Sequence, residues 1–229
     1  MKNLCFWLFH ILIISNVSLF AQQNNLQGAY KMKQGDVNAL WLFADGYTSM
    51  IYYHDKVYMY TTGGPFALEN NSITIETEYH DQDSTLIGQS VQHRFTVDDG
   101  NLRDSDGNEW VKQDAKDQGL DGLWRITGRM QQGEMGQIQR GDRKTIKLLI
   151  DGYFQWIAIN PARRGFYGTG GGEYTFQDGR YAEHILFFSR DNTRIGTSLQ
   201  FEGEVKGKEW HHTGLSSTGN KIYEIWTRE

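Results

Sequence analysis

At 229 residues with a net charge of −5 and no basic tract, the chain is a poor match for a phosphate backbone, which argues against nucleic acid as a partner. Its single cysteine, Cys5, falls in an N-terminal segment expected to be removed, so the mature chain holds no disulfide framework, thiolate metal site or cysteine nucleophile. Abundant glycine, only two prolines and 14% aromatic residues suit many short strands joined by tight turns.

Lys2, the apolar run from Leu4 to Phe20 and the small residue Ala21 read as a signal peptide over residues 1–21, cleaved before Gln22. Ser15, Asn16 and Ser18 interrupt a run already short for a bilayer, so no membrane insertion is expected after cleavage. The expected location is periplasmic or secreted.

The remainder divides into two similar units, 22–113 and 120–229. Leu26-Gln27-Gly28-Ala29-Tyr30 opens the first and Leu120-Asp121-Gly122-Leu123-Trp124 the second. Asp45-Gly46-Tyr47 then matches Asp151-Gly152-Tyr153, Gly63-Gly64 matches Gly171-Gly172, and Ile87-Gly88 matches Ile195-Gly196. Four anchors in one order with nearly steady spacing indicate an internal duplication. The polar, glycine-rich stretch from Gly133 to Asp142 is extra to the second unit and is expected to be a loop.

Within each unit the punctuation is that of hairpins. Asp45-Gly46, Asp99-Gly100, Asp106-Gly107, Asp151-Gly152 and Asp178-Gly179 supply the positive φ that a two-residue turn needs. Between them lie strand-length runs rich in β-branched and aromatic residues, among them Ala39–Phe43, Tyr47–Tyr53, Ser90–Val97, Lys144–Ile150, Tyr153–Ile159, Arg180–Ser189, Ile195–Val205, Lys208–Leu215 and Lys221–Arg228. Gly170-Gly171-Gly172 lacks the lysine, serine and helix of a phosphate loop and reads as a bulge or a close backbone approach. Both faces of Arg180–Ser189 are apolar, which predicts cover from the sister unit as well as from its own barrel. The expected fold is all-β: two tandem antiparallel up-and-down barrels packed against each other, with a cleft between them.

Gly122-Leu123-Trp124 on the opening strand, with Arg228 near the end of the closing strand, resembles the lipocalin or calycin signature, in which a guanidinium stacks on the indole at the closed mouth of a barrel. The first copy departs from it, with Tyr30 for Trp124 and Lys112 for Arg228. Phe154-Gln155-Trp156, Gly171-Gly172-Glu173-Tyr174, Tyr181-Ala182-Glu183-His184 and Glu224-Ile225-Trp226-Thr227-Arg228 are similar to secreted lipocalin-like proteins of Bacteroidetes. Some of these resemble the ulvan-type oligosaccharide dehydratases of polysaccharide-utilisation systems.

That resemblance implies elimination of water or alcohol from a uronate-containing oligosaccharide, which needs a base for the C5 proton, a partner for the carboxylate and an acid for the leaving oxygen. His184 or His212 is the candidate base, Tyr174 or Tyr223 the candidate acid, and Glu183 completes the ionisable cluster. Arg163 and Arg164 are candidates to grip a carboxylate, and Trp156 and Trp210 to stack on sugar faces. The plain alternatives are a solvated loop for the arginines and core packing for the tryptophans. Because alternation sends His211 and His212 to opposite faces, no metal site is expected, and no cofactor is implied. The rival function is a non-catalytic carrier of a small apolar ligand or glycan. The asymmetry between copies favours catalysis, since a carrier has little use for an ionisable cluster in one unit alone.

Overall fold

The computed structural model describes residues 26–216 and 219–229, so the signal peptide read over 1–21 lies outside the described residues. The first unit comprises β1 (Gly28–Gln34), β2 (Val37–Ala44), β3 (Tyr47–His54), β4 (Val57–Glu69), β5 (Ser72–Glu76), β6 (Tyr79–His80), β7 (Ser90–Asp98), β8 (Asn101–Asp104) and β9 (Glu109–Lys112). The second comprises β10 (Gly122–Gln131), β11 (Glu134–Gln137), β12 (Lys144–Ile150), β13 (Tyr153–Asn160), β14 (Gly165–Gln177), β15 (Arg180–Phe188), β16 (Ser198–Lys206), β17 (Glu209–Leu215) and β18 (Lys221–Arg228). Pairing of β3 with β4 and of β1 with β9 closes the first sheet, and pairing of β10 with β18 closes the second. Each unit is an eight-stranded antiparallel barrel, with β6 and β11 as short appendages.

The turns form where left-handed backbone is tolerated. Asp45, Asp99, Asp151 and Asp178 all have φ near +50°, each followed by a glycine with positive φ. The expected loop after Gly133 is instead partly a hairpin: Gln132 and Gly133 turn at φ 52° and 86°, and β11 pairs back on β10. Its residues are all exposed, so no apolar alternation marked it as a strand. The two units share an equivalent 3-10 turn, Ser84–Leu86 and Asn192–Arg194, capped by an aspartate side chain, Asp83 and Asp191. That turn displaces the start of β16 to Ser198.

At the closed ends, the Arg228 guanidinium lies 4.7 Å from the Trp124 ring centroid and the Lys112 ammonium 5.6 Å from that of Tyr30. Both copies thus stopper one mouth with a cation on a ring, as their aligned positions suggested.

Three buried clusters hold the molecule together. One fills each barrel, and the third lies between them, built from Leu40, Leu42 and Ile51 on one side and Ile146, Leu148 and Ile157 on the other, all at most 1% exposed. Each such side chain contributes about 1.5–3 kcal/mol of burial. Along β2, β3, β12 and β13 the expected cleft is therefore filled, by apolar side chains around a buried polar centre at Ser49 and Gln155. The double cover expected for β15 holds only at its end. A bulge opposite Gly171 and Gly172 turns Phe187 into the inter-barrel core, while His184, earlier on the strand, faces solvent. At that bulge the backbones come close: a Cβ on Gly172 would sit 2.0 Å from the carbonyl oxygen of His184.

Candidate functional site

The residues singled out from the sequence do not converge on one site. Glu183 and His212 point into the second barrel and are buried, whereas His184 lies exposed on the outer face, its Nδ1 3.2 Å from the Ser198 hydroxyl. Adjacent residues of a strand face opposite ways, so Glu183 and His184 are parted by the sheet itself. Tyr174 donates a 2.5 Å hydrogen bond to Asp121 at the closed end. Burial, then the Asp121 charge and bond, push its phenol far above the ordinary range, so it is not poised to release a proton. Arg163 and Arg164 are exposed on the 3-10 turn Pro161–Arg163 and its cap. Trp210 is wholly buried in ring contact with Trp124, Tyr181, His212 and Trp226, while Trp156 is half-buried against Phe188.

The interior of the second barrel holds a charged layer instead. Lys147, 4% exposed, places its ammonium 3.0 Å from Glu183 and 5.0–5.6 Å from the rings of Phe154, Tyr181, Trp210 and Trp226. Tyr181 donates to the same Glu183 oxygen. Beside this pair, Glu224 accepts from Trp226 and Arg129 and lies 3.1 Å from His212 Nε2. Burial depresses the His212 pKa, so the ring is neutral, with Nε2–H donating to Glu224. Burial also works to raise the Glu224 carboxyl, but the His212 bond, the charge that ring gains once protonated at low pH, and the charges of Arg129 and Lys147 outweigh it and bring it down to about 2. The first barrel carries Trp41 and Ile75 where the second has Lys147 and Glu183. That substitution within the repeat was the signal for Lys147, and the sequence reading passed over it.

An accessible acid–base array lies on the opposite face of the same sheet. His211 points outward because His212 points inward, and its two ring nitrogens are both engaged. Nε2 lies 3.2 Å from Glu209 and Nδ1 3.0 Å from the Tyr223 hydroxyl. An ionised carboxylate only accepts, so Nε2 carries the hydrogen and Nδ1 accepts the Tyr223 proton. The three side chains form a carboxylate–imidazole–phenol relay. Its scaffold is a hairpin: Tyr223 is directly opposite Thr213, which sets it diagonal to His211 on the neighbouring strand.

The relay sits in a groove of about 480 Å³ whose walls include Arg180, Glu202, Glu204 and Thr213. Arg180 opposes Glu202, Glu202 opposes Thr213 and Thr213 opposes Tyr223, so one rung across four strands carries a guanidinium at one end and the phenol at the other. A larger open groove of about 1350 Å³ adjoins it, sharing Asp178, Arg180, Glu202 and Thr213. Tyr223 is thus the predicted contact residue that hydrogen-bonds a histidine, and that histidine is His211. The first copy has Arg103 and Gly107 at the corresponding places and builds no such relay. Among the described residues, no group of three His, Asp or Glu side chains is disposed to hold a metal ion. Comparison with protein-family models and with curated protein sequences finds no match to this chain.

Proposed function

We propose that the protein is an exported carbon–oxygen lyase, a dehydratase that eliminates water or alcohol from uronate-containing oligosaccharides in the outer groove of the second barrel. The observation that carries this reading is the Glu209–His211–Tyr223 relay in an accessible groove. In the proposed step His211 takes the Tyr223 proton, and the phenolate takes the C5 proton of the uronate. The C5–H pair becomes the new C4–C5 double bond as the C4–O bond breaks, and the departing oxygen takes its proton from the His211 imidazolium. Glu209 stabilises that imidazolium, and Arg180, three strands away along the same rung, is placed to hold the carboxylate of a neighbouring sugar residue. Phenol, imidazole and carboxylate all end as they began.

The carrier reading has less support. A carrier needs an empty lumen, whereas Tyr181, Phe201, Trp210, His212 and Trp226 meet ring to ring inside the second barrel.

The test is to incubate the mature protein with uronate-terminated oligosaccharides and follow the ultraviolet absorbance of the 4,5-unsaturated product together with loss of water by mass. Product formation that drops at least about 100-fold in Tyr223→Phe supports the reading. Absence of product with every acidic glycan, or full activity in both Tyr223→Phe and His211→Ala, defeats it. Export is checked separately, by finding Gln22 at the N-terminus of the mature protein.

A further inference from the structure

Four arginines, Arg143, Arg163, Arg164 and Arg190, lie at the open end of the second barrel. Tyr167 is the extra residue of a bulge in β14, between Phe166 opposite Ile159 and Gly168 opposite Ala158. The Arg143 guanidinium lies 4.6 Å from its ring centroid, and Arg190 donates to its carbonyl oxygen. Arg163 and Arg164 immediately precede Gly165, whose missing Cβ leaves room for the Tyr167 hydroxyl, 2.9 Å from that position. All four arginines are exposed. Among the described residues none of them forms an ion pair, whereas Arg129, Arg140, Lys144, Lys147 and Arg228 all do. In an acidic chain such a concentration of uncompensated cations is costly to assemble without a partner anion.

Beneath the cations lies apolar surface. Trp156 and Phe188, both half-buried, meet edge to face at 5.6 Å. They reach each other across Gly170, where a Cβ would come within 2.7 Å of Phe188 and 2.8 Å of Trp156. Gly168, at φ +142°, makes the same room for Arg190, whose Nε would be 2.5 Å from a Cβ there. The glycine run is thus what lets rings and guanidinia crowd one mouth. The first copy has Met59, Tyr60, Thr62 and Gln82 at the places of Tyr167, Gly168, Gly170 and Arg190, so it lacks both the glycines and the guanidinium that pack here.

We infer that this mouth is a binding site for an acidic sugar residue bearing a carboxylate or sulfate, separate from the Tyr223 groove. Planar guanidinia pair with such oxyanions through two parallel hydrogen bonds, and Trp156 and Phe188 offer ring surface to the sugar. A nucleic acid fits poorly. Its charges recur every 3.4 Å or so along a strand, far more densely than one mouth can match, and the adjoining rim of the first barrel carries Asp81, which accepts from the Tyr58 hydroxyl, while the Tyr58 backbone N–H donates to Asn192 of the second barrel.

The site is tested by titrating the full mature protein with oligogalacturonate, a dextran sulfate oligomer, a neutral dextran oligomer and a single-stranded DNA oligomer, with heat of binding as the readout. The acidic sugars should bind and the neutral one should not, and the tighter of the two identifies the oxyanion. Arg143→Gln and Arg190→Gln should each weaken binding about tenfold and flatten its salt dependence. Arg163→Gln/Arg164→Gln, on an exposed turn, keeps the test open if Arg190→Gln fails to fold. In a Tyr223→Phe background, which stops the elimination, Arg143→Gln should weaken binding by the same factor, which separates this site from the elimination reading. Equal binding of neutral dextran, DNA binding as tight as the acidic sugars, no binding of either acidic sugar, or affinity indifferent to the arginine substitutions would overturn the inference.

Discussion

The Ser49 hydroxyl donates a 2.5 Å hydrogen bond to Gln155 Oε1, and the two residues occupy the same position in the two repeats, 106 residues apart like Asp45 and Asp151. Gln155 in turn donates to Thr61 and Thr169, themselves an equivalent pair, at 3.1 and 3.0 Å. The barrels therefore meet about a pseudo-two-fold axis whose centre is polar and wholly buried. The periphery repeats the relation: Asp45 accepts from the backbone of Leu123, and Asp151 accepts from the backbone of Ala29, each turn tying down the opening strand of the other barrel. Such reciprocity is what an isologous contact becomes when two copies are fused into one chain.

Gln155→Leu should expose how much that centre contributes. The substitution fits the space but takes from Ser49 its acceptor, and from Thr61 and Thr169 a donor, in a dry interface. A loss of about 2–3 kcal/mol is expected from the stranded polar groups, read as a lower urea midpoint with an unchanged m-value. An unchanged midpoint would show that the network is dispensable.

The buried Lys147–Glu183 pair should behave asymmetrically. Lys147→Met alone leaves a carboxylate stranded among rings and should cost about 3–5 kcal/mol. Glu183→Ile, which copies the first barrel, should recover most of that loss when combined with Lys147→Met, because no charge then remains unpaired. Additive losses in the double variant would contradict the account.

Stability should fall as pH drops from neutrality, in two stages. His212 has a depressed folded pKa, so its contribution is full above the unfolded value near 6.5 and is lost as pH falls towards the folded one. Glu224, with its folded value at about 2, adds a second loss as pH falls from about 4.5 towards 2. His212→Gln retains an N–H donor for Glu224 but does not titrate. It should flatten the limb below pH 6.5 and shrink the lower one, where Arg129 and Lys147 remain to hold the Glu224 carboxyl down, as measured by urea midpoints from neutrality to pH 2.

The barrels were legible because each Asp-Gly turn and each alternating run is a local feature, and because comparing the copies brought Tyr30 to Trp124 and Lys112 to Arg228. The site was less legible for a geometric reason. Alternation shows that His211 and His212 face opposite ways, but not which of them meets the phenol; that depends on the register of β17 against β18, set across the hairpin between Leu215 and Lys221. Glu183 beside His184 suggested an acid–base pair by adjacency, and in a strand adjacency is the arrangement that keeps two side chains apart. Lys147 was concealed for a different reason: a lone lysine in an apolar run reads as a solvated edge, and only the tryptophan at its place in the other copy betrays an interior position.

Variants of the imidazoles should rank by their place in the sheet. Glu209→Gln removes the charge that stabilises a protonated His211, yet leaves Nδ1 and Tyr223 in contact, so turnover on a uronate oligosaccharide should fall about 10- to 100-fold with little change in KM. His211→Ala should fall further, as the proton acceptor itself is lost. His184→Ala, on the outer face away from the relay and bonded to Ser198, should retain full activity and full stability. His212→Gln should lose stability at neutral pH but keep its turnover number where folded, since the ring is sealed behind the sheet. Kinetics on the four variants at one temperature, with folded fraction measured alongside, separate these outcomes. If His184→Ala were the inactive variant and Glu209→Gln the active one, the reacting groups would lie at the β15–β16 edge, and the relay on β17 and β18 would have no catalytic part.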